Sequence, residues 1–224
     1  MAYRKVILAN QETYHIFNRG VAKTPIFRNA WDYQRFTYLI DYYRFQKLPL
    51  RFSYFHRLPK KDKDSLWKNI VKNSSQLIEI NAYCLMPNHL HIMVKQLSNN
   101  GISKFMANLL NSYARFFNTK YKRIGPLYQS NFKAVRIETE EQLLHVQRYI
   151  HLNPVSSYII EKEQIEKYRW SSLPHYSNIN KSPFISSGMI LNQFKSTDSY
   201  KKFILDQADY QRKLGDIKHL ALEK

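Results

Sequence analysis

Two histidines separated by one residue, His89 and His91, stand inside NAYCLMPNHLHIMVK (81–95), a run that reads as β-strand. Residues two apart on a strand share a face, so both imidazoles point the same way, followed by Met93 and Lys95. Leu90, Ile92 and Val94 form the apolar stripe to be buried on the other face. Two neutral imidazoles side by side make half of a divalent-metal site that needs further ligands from elsewhere. The same pair also fits the wet face of a half-buried sheet. A second pair, Tyr149 and Asn153, is spaced four apart in a helical pattern and therefore shares one side of that helix. A phenol can act as a covalent nucleophile and an amide oxygen can complete a metal shell. Tyrosine is also ordinary core packing, and asparagine before proline an ordinary helix terminator.

These residues have to be positioned by the elements around them. Glu12 to Asn18 is rich in β-formers and reads as a first strand, ended by Arg19 and Gly20. A helix begins near Asn29, with Phe36, Leu39, Ile40 and Tyr43 at helical spacing, and runs to about Lys47. The stretch 48–75 reads as an insertion: RFSYFHR fits a short strand, KKDKD a solvated turn, SLWKNIVKN a short helix. Gln76 to Leu85 is a second strand, and Met86, Pro87 and Asn88 turn the chain back into the histidine strand. Ile102 to Lys122 is a strongly amphipathic helix, and Asn131 to Ile137 a fourth strand. A last helix starts at Thr139, where Gln142 fits a capping box and Glu140 and Glu141 suit the positive helix end. Pro154 stops it at Asn153. With the insertion set aside, the order is β-α-β-β-α-β, a ferredoxin-like α/β (α+β) sandwich. Its two helices lie on one face of an antiparallel sheet, and the other face is left to the histidines and the extra helix carrying Tyr149. The division is a domain over 1–176, interrupted by 48–75, and a basic C-terminal extension over 177–224 that contains a helix or tail around Tyr200 to Lys213.

Charge points to the partner. A net charge of +18 calls for a polyanion, with nucleic acid first, and no long apolar run suggests a membrane span. Aromatic residues at 15% of the chain, against only 5 glycines, argue for a packed core over disorder. The single cysteine, Cys84, precludes an intrachain disulfide and reads as a small buried hydrophobe. The N-terminus lacks the pattern of a secretory signal, which makes the expected location cytoplasmic. Lys104, Arg115 and Lys122 on the polar face of the long helix suit phosphate contacts as well as plain solvation, and Arg123, Lys133, Arg136 and Arg19 extend the basic set.

PNHLHIMV and YIHLNPV, with FNRG near the start, GPLYQSNFK in the middle and YRWSS towards the end, resemble the single-tyrosine HUH transposases, and among them the REP-associated tyrosine transposases. The resemblance covers roughly residues 12 to 176. It implies His89, His91 and Asn153 as ligands of one Mg²⁺ or Mn²⁺ and Tyr149 as the nucleophile. The implied activity is metal-dependent cleavage and rejoining of single-stranded DNA through a 5′-phosphotyrosine, on single-stranded or hairpin DNA, by a monomer or a homodimer. Two other readings fit the same residues: a hydrolytic metal-dependent nuclease in which water attacks, and a DNA- or RNA-binding protein with a silent or domesticated site.

Overall fold

The structure is a computed structural model that describes residues 6–206. Four strands, β1 (Thr13–Arg19), β2 (Ile78–Met86), β3 (His89–Gln96) and β4 (Lys133–Ile137), form one sheet in the order β2-β3-β1-β4, with every neighbouring pair antiparallel. The helices are α1 (Ala30–Tyr43), α2 (Phe52–Arg57), α3 (Lys60–Asn73), α4 (Gly101–Lys120) and α5 (Glu140–Ser156). Three short ones follow: α6 (Leu173–Tyr176), α7 (Gly188–Leu191) and α8 (Thr197–Leu205). The expected ferredoxin-like order is the one observed.

Helices α1 and α4 pack together, and their apolar stripes, including Phe36, Leu39, Ile40, Phe105, Leu109 and Tyr113, join Leu90, Ile92 and Val94 in one buried cluster. The start of α1 is locked to the end of α4 by Asp32. Its buried carboxylate accepts hydrogen bonds from the Arg28 N–H (2.8 Å) and the Tyr121 hydroxyl (2.7 Å) and pairs with Lys120 Nζ (2.6 Å). Asn29 caps α1 through the Asp32 N–H. On the opposite face α5 lies against β2 and β3. Met93, which alternation alone put on a wet face with the histidines, is therefore fully buried.

The stretch 48–75 departs from expectation in its first two parts, while SLWKNIVKN is helical as expected. RFSYFHR forms α2 rather than a strand, because Phe52 and Phe55 are three apart and both meet the Tyr42 ring. KKDKD is the beginning of α3 rather than a turn, its charges outward while Trp67 and Ile70 turn inward. Helix α5 also runs past its expected end at Asn153, with Pro154 inside its last turn. Proline there forfeits one N–H bond. Around it Ile150, Leu152 and Val155 are buried, and the Ser156 hydroxyl donates to the Leu152 and Asn153 carbonyls, which offsets the loss. At the other end Thr139 accepts from the Gln142 N–H (3.1 Å), and Gln142 Oε1 accepts in turn from the Glu138 N–H (2.8 Å).

YRWSS docks along the outer edge of β2. Leu85 N–H donates to the Trp170 carbonyl (2.9 Å), the Tyr168 hydroxyl to the Leu85 carbonyl (2.7 Å), and the Ser172 N–H to the Tyr83 carbonyl (2.9 Å). That covers a strand edge that would otherwise be open to pairing. Residues 177–206 continue over the same core, with Ile185, Ile190, Tyr200 and Ile204 buried. Of the basic helix expected around Tyr200 to Lys213, residues up to Leu205 are in α8, and residues 207–224 lie outside the described part. Cys84 is buried as expected, and burial drives its thiol pKa far up.

Gly20, from FNRG, has an ordinary φ of −62° but no room for a side chain. A Cβ there would overlap the Thr24 carbonyl oxygen and come within 2.9 Å of Ile26 Cγ2. The Gly20 N–H donates to the Asn88 carbonyl (2.8 Å), which ties this turn to the β2–β3 hairpin. We expect Gly20→Ala to lower stability by roughly 1–3 kcal/mol in urea unfolding. An unchanged midpoint would refute the clash.

Candidate active site

Strand β3 carries His89 and His91 on the face covered by α5, with ring centroids 5.0 Å apart and nearly perpendicular planes. The register of β1 sets Arg19 opposite His89, Phe17 opposite His91 and His15 opposite Met93, so all three β1 residues share the histidine face. From α5, Tyr149 meets the His91 ring edge-on at 5.5 Å and the His15 ring at 5.9 Å. Asn153, one turn further along, is buried. Its Nδ2 donates to the Tyr149 carbonyl (3.2 Å), which leaves Oδ1 as the acceptor end of the amide.

Each histidine has its Nδ1 engaged. Asn88 Nδ2 donates to the Lys23 carbonyl (3.1 Å), which turns Asn88 Oδ1 to accept from His89 Nδ1 at 2.6 Å. A proton on Nδ1 leaves the Nε2 lone pair as the donor of His89. His91 Nδ1 lies 2.9 Å from His15 Nε2. Burial first, then the positive potential of His89, His15 and Arg19, holds the His91 pKa well below the usual imidazole range, and burial lowers that of His15 to about 4. Both rings are neutral at pH 7. Among the described residues no three His, Cys, Asp or Glu side chains gather as a metal shell. Two imidazoles and one amide oxygen are a donor set suited to Mn²⁺ and acceptable to Mg²⁺.

Sequence reasoning named the two histidines, Tyr149 and Asn153, and the fold brings the two elements that carry them onto one sheet face. His15 and Asn88 were missed. Asn88 adjoins a named histidine, and its signal was the turn itself. His15 is 76 residues from His91, so only the β1–β3 register makes them neighbours.

The expected DNA-binding residues divide. Arg19 lines a cleft of about 430 Å³ with Lys23, Pro87, Asn88 and His89, immediately beside the site. Lys133, on β4 opposite Phe17, is exposed on the same face, and with Val135 (53% exposed) it marks the half of that face left open beyond β1. Arg136 is paired with Glu12 (2.7 Å). Lys104 and Arg115 are on α4, across the sheet from the histidines, and Arg115 borders a groove of about 990 Å³ between α1, α2 and α4. Lys122 lies just past α4, and Arg123 donates to Asn118 Oδ1 (3.0 Å).

A fourth histidine, His151 in YIHLNPV, serves structure. It is fully buried, with Nδ1 at 2.9 Å from the Tyr200 hydroxyl and Nε2 at 2.7 Å from Ser172 Oγ, and it joins α5 to α8 and to YRWSS. Burial lowers its pKa to about 3, against an ordinary value of 6.5. Above pH 6.5 the ring is neutral both folded and unfolded, and its full contribution is present. As pH falls from 6.5 toward 3, the unfolded chain takes up a proton that the folded chain refuses, so stability falls by as much as a few kcal/mol. We expect the urea midpoint to drop between pH 7 and pH 4, and the slope to be visibly shallower in His151→Gln. Equal slopes in the two proteins would remove His151 from this role.

Residues 51–153 match the model of the family described as "Transposase IS200 like". A solved structure, "Structure of the REP associates tyrosine transposase bound to a REP hairpin", is similar with a TM-score of 0.55 and 15% identity, over 84% of this chain and 92% of that one. No curated protein matches the chain. Among the described residues no helix is long and apolar enough to cross a membrane.

Proposed function

We propose that this chain, which belongs to the IS200-like transposase family through residues 51–153, is a DNA transposase that cuts and rejoins single strands through a 5′-phosphotyrosine on Tyr149. The observation that carries the reading is the docking of α5, which brings the Tyr149 ring to 5.5 Å from that of His91, with Asn153 buried one turn further along the same helix. In a water-attacking nuclease the same phenol would serve packing alone, against the core it adjoins.

His89 Nε2, His91 Nε2 and Asn153 Oδ1 would hold the divalent ion, Mg²⁺ or Mn²⁺. When bound, such an ion polarises a phosphoryl oxygen and neutralises charge that develops during displacement. The remaining work falls to the chain. Tyr149 Oη attacks phosphorus in line and gives up its proton. The P–O3′ bond breaks, and the departing 3′ oxygen takes a proton to leave as a hydroxyl. One phosphodiester is exchanged for another, so the bond energy is kept and the reverse attack by a 3′-OH rejoins DNA. The open half of the sheet face, with Phe17, Val135 and Lys133, gives an extended strand an apolar platform and a cation, and Arg19 flanks the other side. Charge of +18 favours any DNA backbone. The REP hairpin bound by the solved relative makes a DNA hairpin beside the cut the first substrate to offer.

The test uses single-stranded DNA containing such a hairpin, labelled at its 3′ end, incubated with the protein and Mn²⁺ or with EDTA. A label that migrates with denatured protein only when metal is present supports the proposal. Labelled free fragment without any protein-linked species would instead assign hydrolysis.

A further inference from the structure

The structure assigns His15 a role that neither its distance in sequence nor its chemistry alone suggests: it is the positioning residue that sets the tautomer of His91. The inference rests on the reading of His91 as a metal ligand. His15 Nε2 and His91 Nδ1 are 2.9 Å apart, with ring centroids at 5.1 Å and planes inclined by 23°. Between two neutral imidazoles one proton is shared along that line, and its owner decides the chemistry. If His15 donates, its proton sits on Nε2, and His91, accepting at Nδ1, carries its own proton on Nε2, where it blocks coordination. If His91 donates from Nδ1, its Nε2 carries the free lone pair and His15 is the acceptor, protonated on Nδ1. Only the second arrangement lets His91 bind a cation.

The neighbouring ligand obeys the same rule by a different device. Asn88 Oδ1 accepts a hydrogen bond from the His89 Nδ1–H, and Asn88 Nδ2, donating to the Lys23 carbonyl, holds the amide in place. His91 has no such side chain beside it in sequence. Its acceptor comes from the adjacent strand, two register positions along from Phe17, its direct partner. The His15 ring also packs against Phe17 (5.2 Å) and lies T-shaped to Tyr149 (5.9 Å). The two ligands are thus oriented alike, each with Nδ1 spent and Nε2 offered. Second-shell acceptors of this kind typically change metal affinity 10–100-fold.

The experiment reads the tautomer and the affinity separately. In the metal-free protein labelled with ¹⁵N-histidine, long-range ¹H–¹⁵N spectra assign the protonated nitrogen of His91. We expect Nδ1–H in the wild type and in His15→Gln, whose Oε1 can accept at a similar reach, and a mixed or Nε2–H state in His15→Phe, which keeps the ring packing and removes the acceptor. Calorimetric titration with Mn²⁺ should then give 10–100-fold weaker binding in His15→Phe and substantial recovery in His15→Gln, while His91→Ala binds weakest of all. Equal tautomer and equal Mn²⁺ affinity in His15→Phe and wild type would overturn the positioning role. Unchanged Mn²⁺ affinity in His91→Ala would instead sink the metal reading beneath it. Thermal unfolding of each variant tells a local effect from loss of fold.

Discussion

Tyr149→Phe should yield no covalent protein–DNA adduct, a loss of about 10⁴-fold or more in strand cleavage, while binding of the same DNA stays within about threefold. Removing a nucleophile outright has effects of this size because no other group inherits its task. The substitution deletes one oxygen and leaves the ring, so the ring contacts to His91 and His15 survive. The check is a time course on a denaturing gel with Mn²⁺ present. Adduct formed at the wild-type rate would mean that another residue attacks, and free product formed at the wild-type rate would mean that water does.

The second large effect is expected from His89→Ala. His89 is half-buried at the start of β3 rather than in the core, so its removal spares the sheet and acts on the donor set. With one of the three proposed protein ligands gone, Mn²⁺ binding should weaken beyond the range of calorimetry and cleavage fall by roughly 10³-fold, since charge in the transition state would no longer be neutralised. DNA affinity and its slope against salt should be nearly unchanged, because phosphate contacts spread over a basic surface set both. A variant that still cuts at a tenth of the wild-type rate or more would remove His89 from the ligand set. So would a large fall in DNA affinity without loss of metal binding.

The topology was legible because hydrophobic periodicity is local: strands 13–19, 78–86 and 89–96 and helices α1, α4 and α5 each announce themselves within their own residues. The stretch 48–75 misled where charge masked a helix. SLWKNIVKN, which holds the inward residues Trp67 and Ile70, reads as the helix it is, but KKDKD, the first turns of α3, has no apolar residue through which a period could show. Helix α5 outran its proline because burial of Leu152 and Val155 is a tertiary quantity that no dipeptide rule contains. In the site, the histidines share a face by strand period alone, and Tyr149 and Asn153 share a side by helical period alone. That Tyr149 reaches His91 required the docking of α5. His15 could not be found this way, since a register between strands separated by more than seventy residues is decided by the whole sheet.

The buried contact of His151 with Tyr200 and Ser172 fastens α5 to its own chain at both α8 and the YRWSS segment. Tyr149 sits two residues from that fastening. If Tyr149 is the nucleophile proposed above, its hydroxyl would meet a bound phosphate at an effective molarity set by the fold of its own chain. The rate of the first cut, per molecule with DNA in excess, would then be independent of how dilute the protein is, which a dilution series of single-turnover cleavage checks.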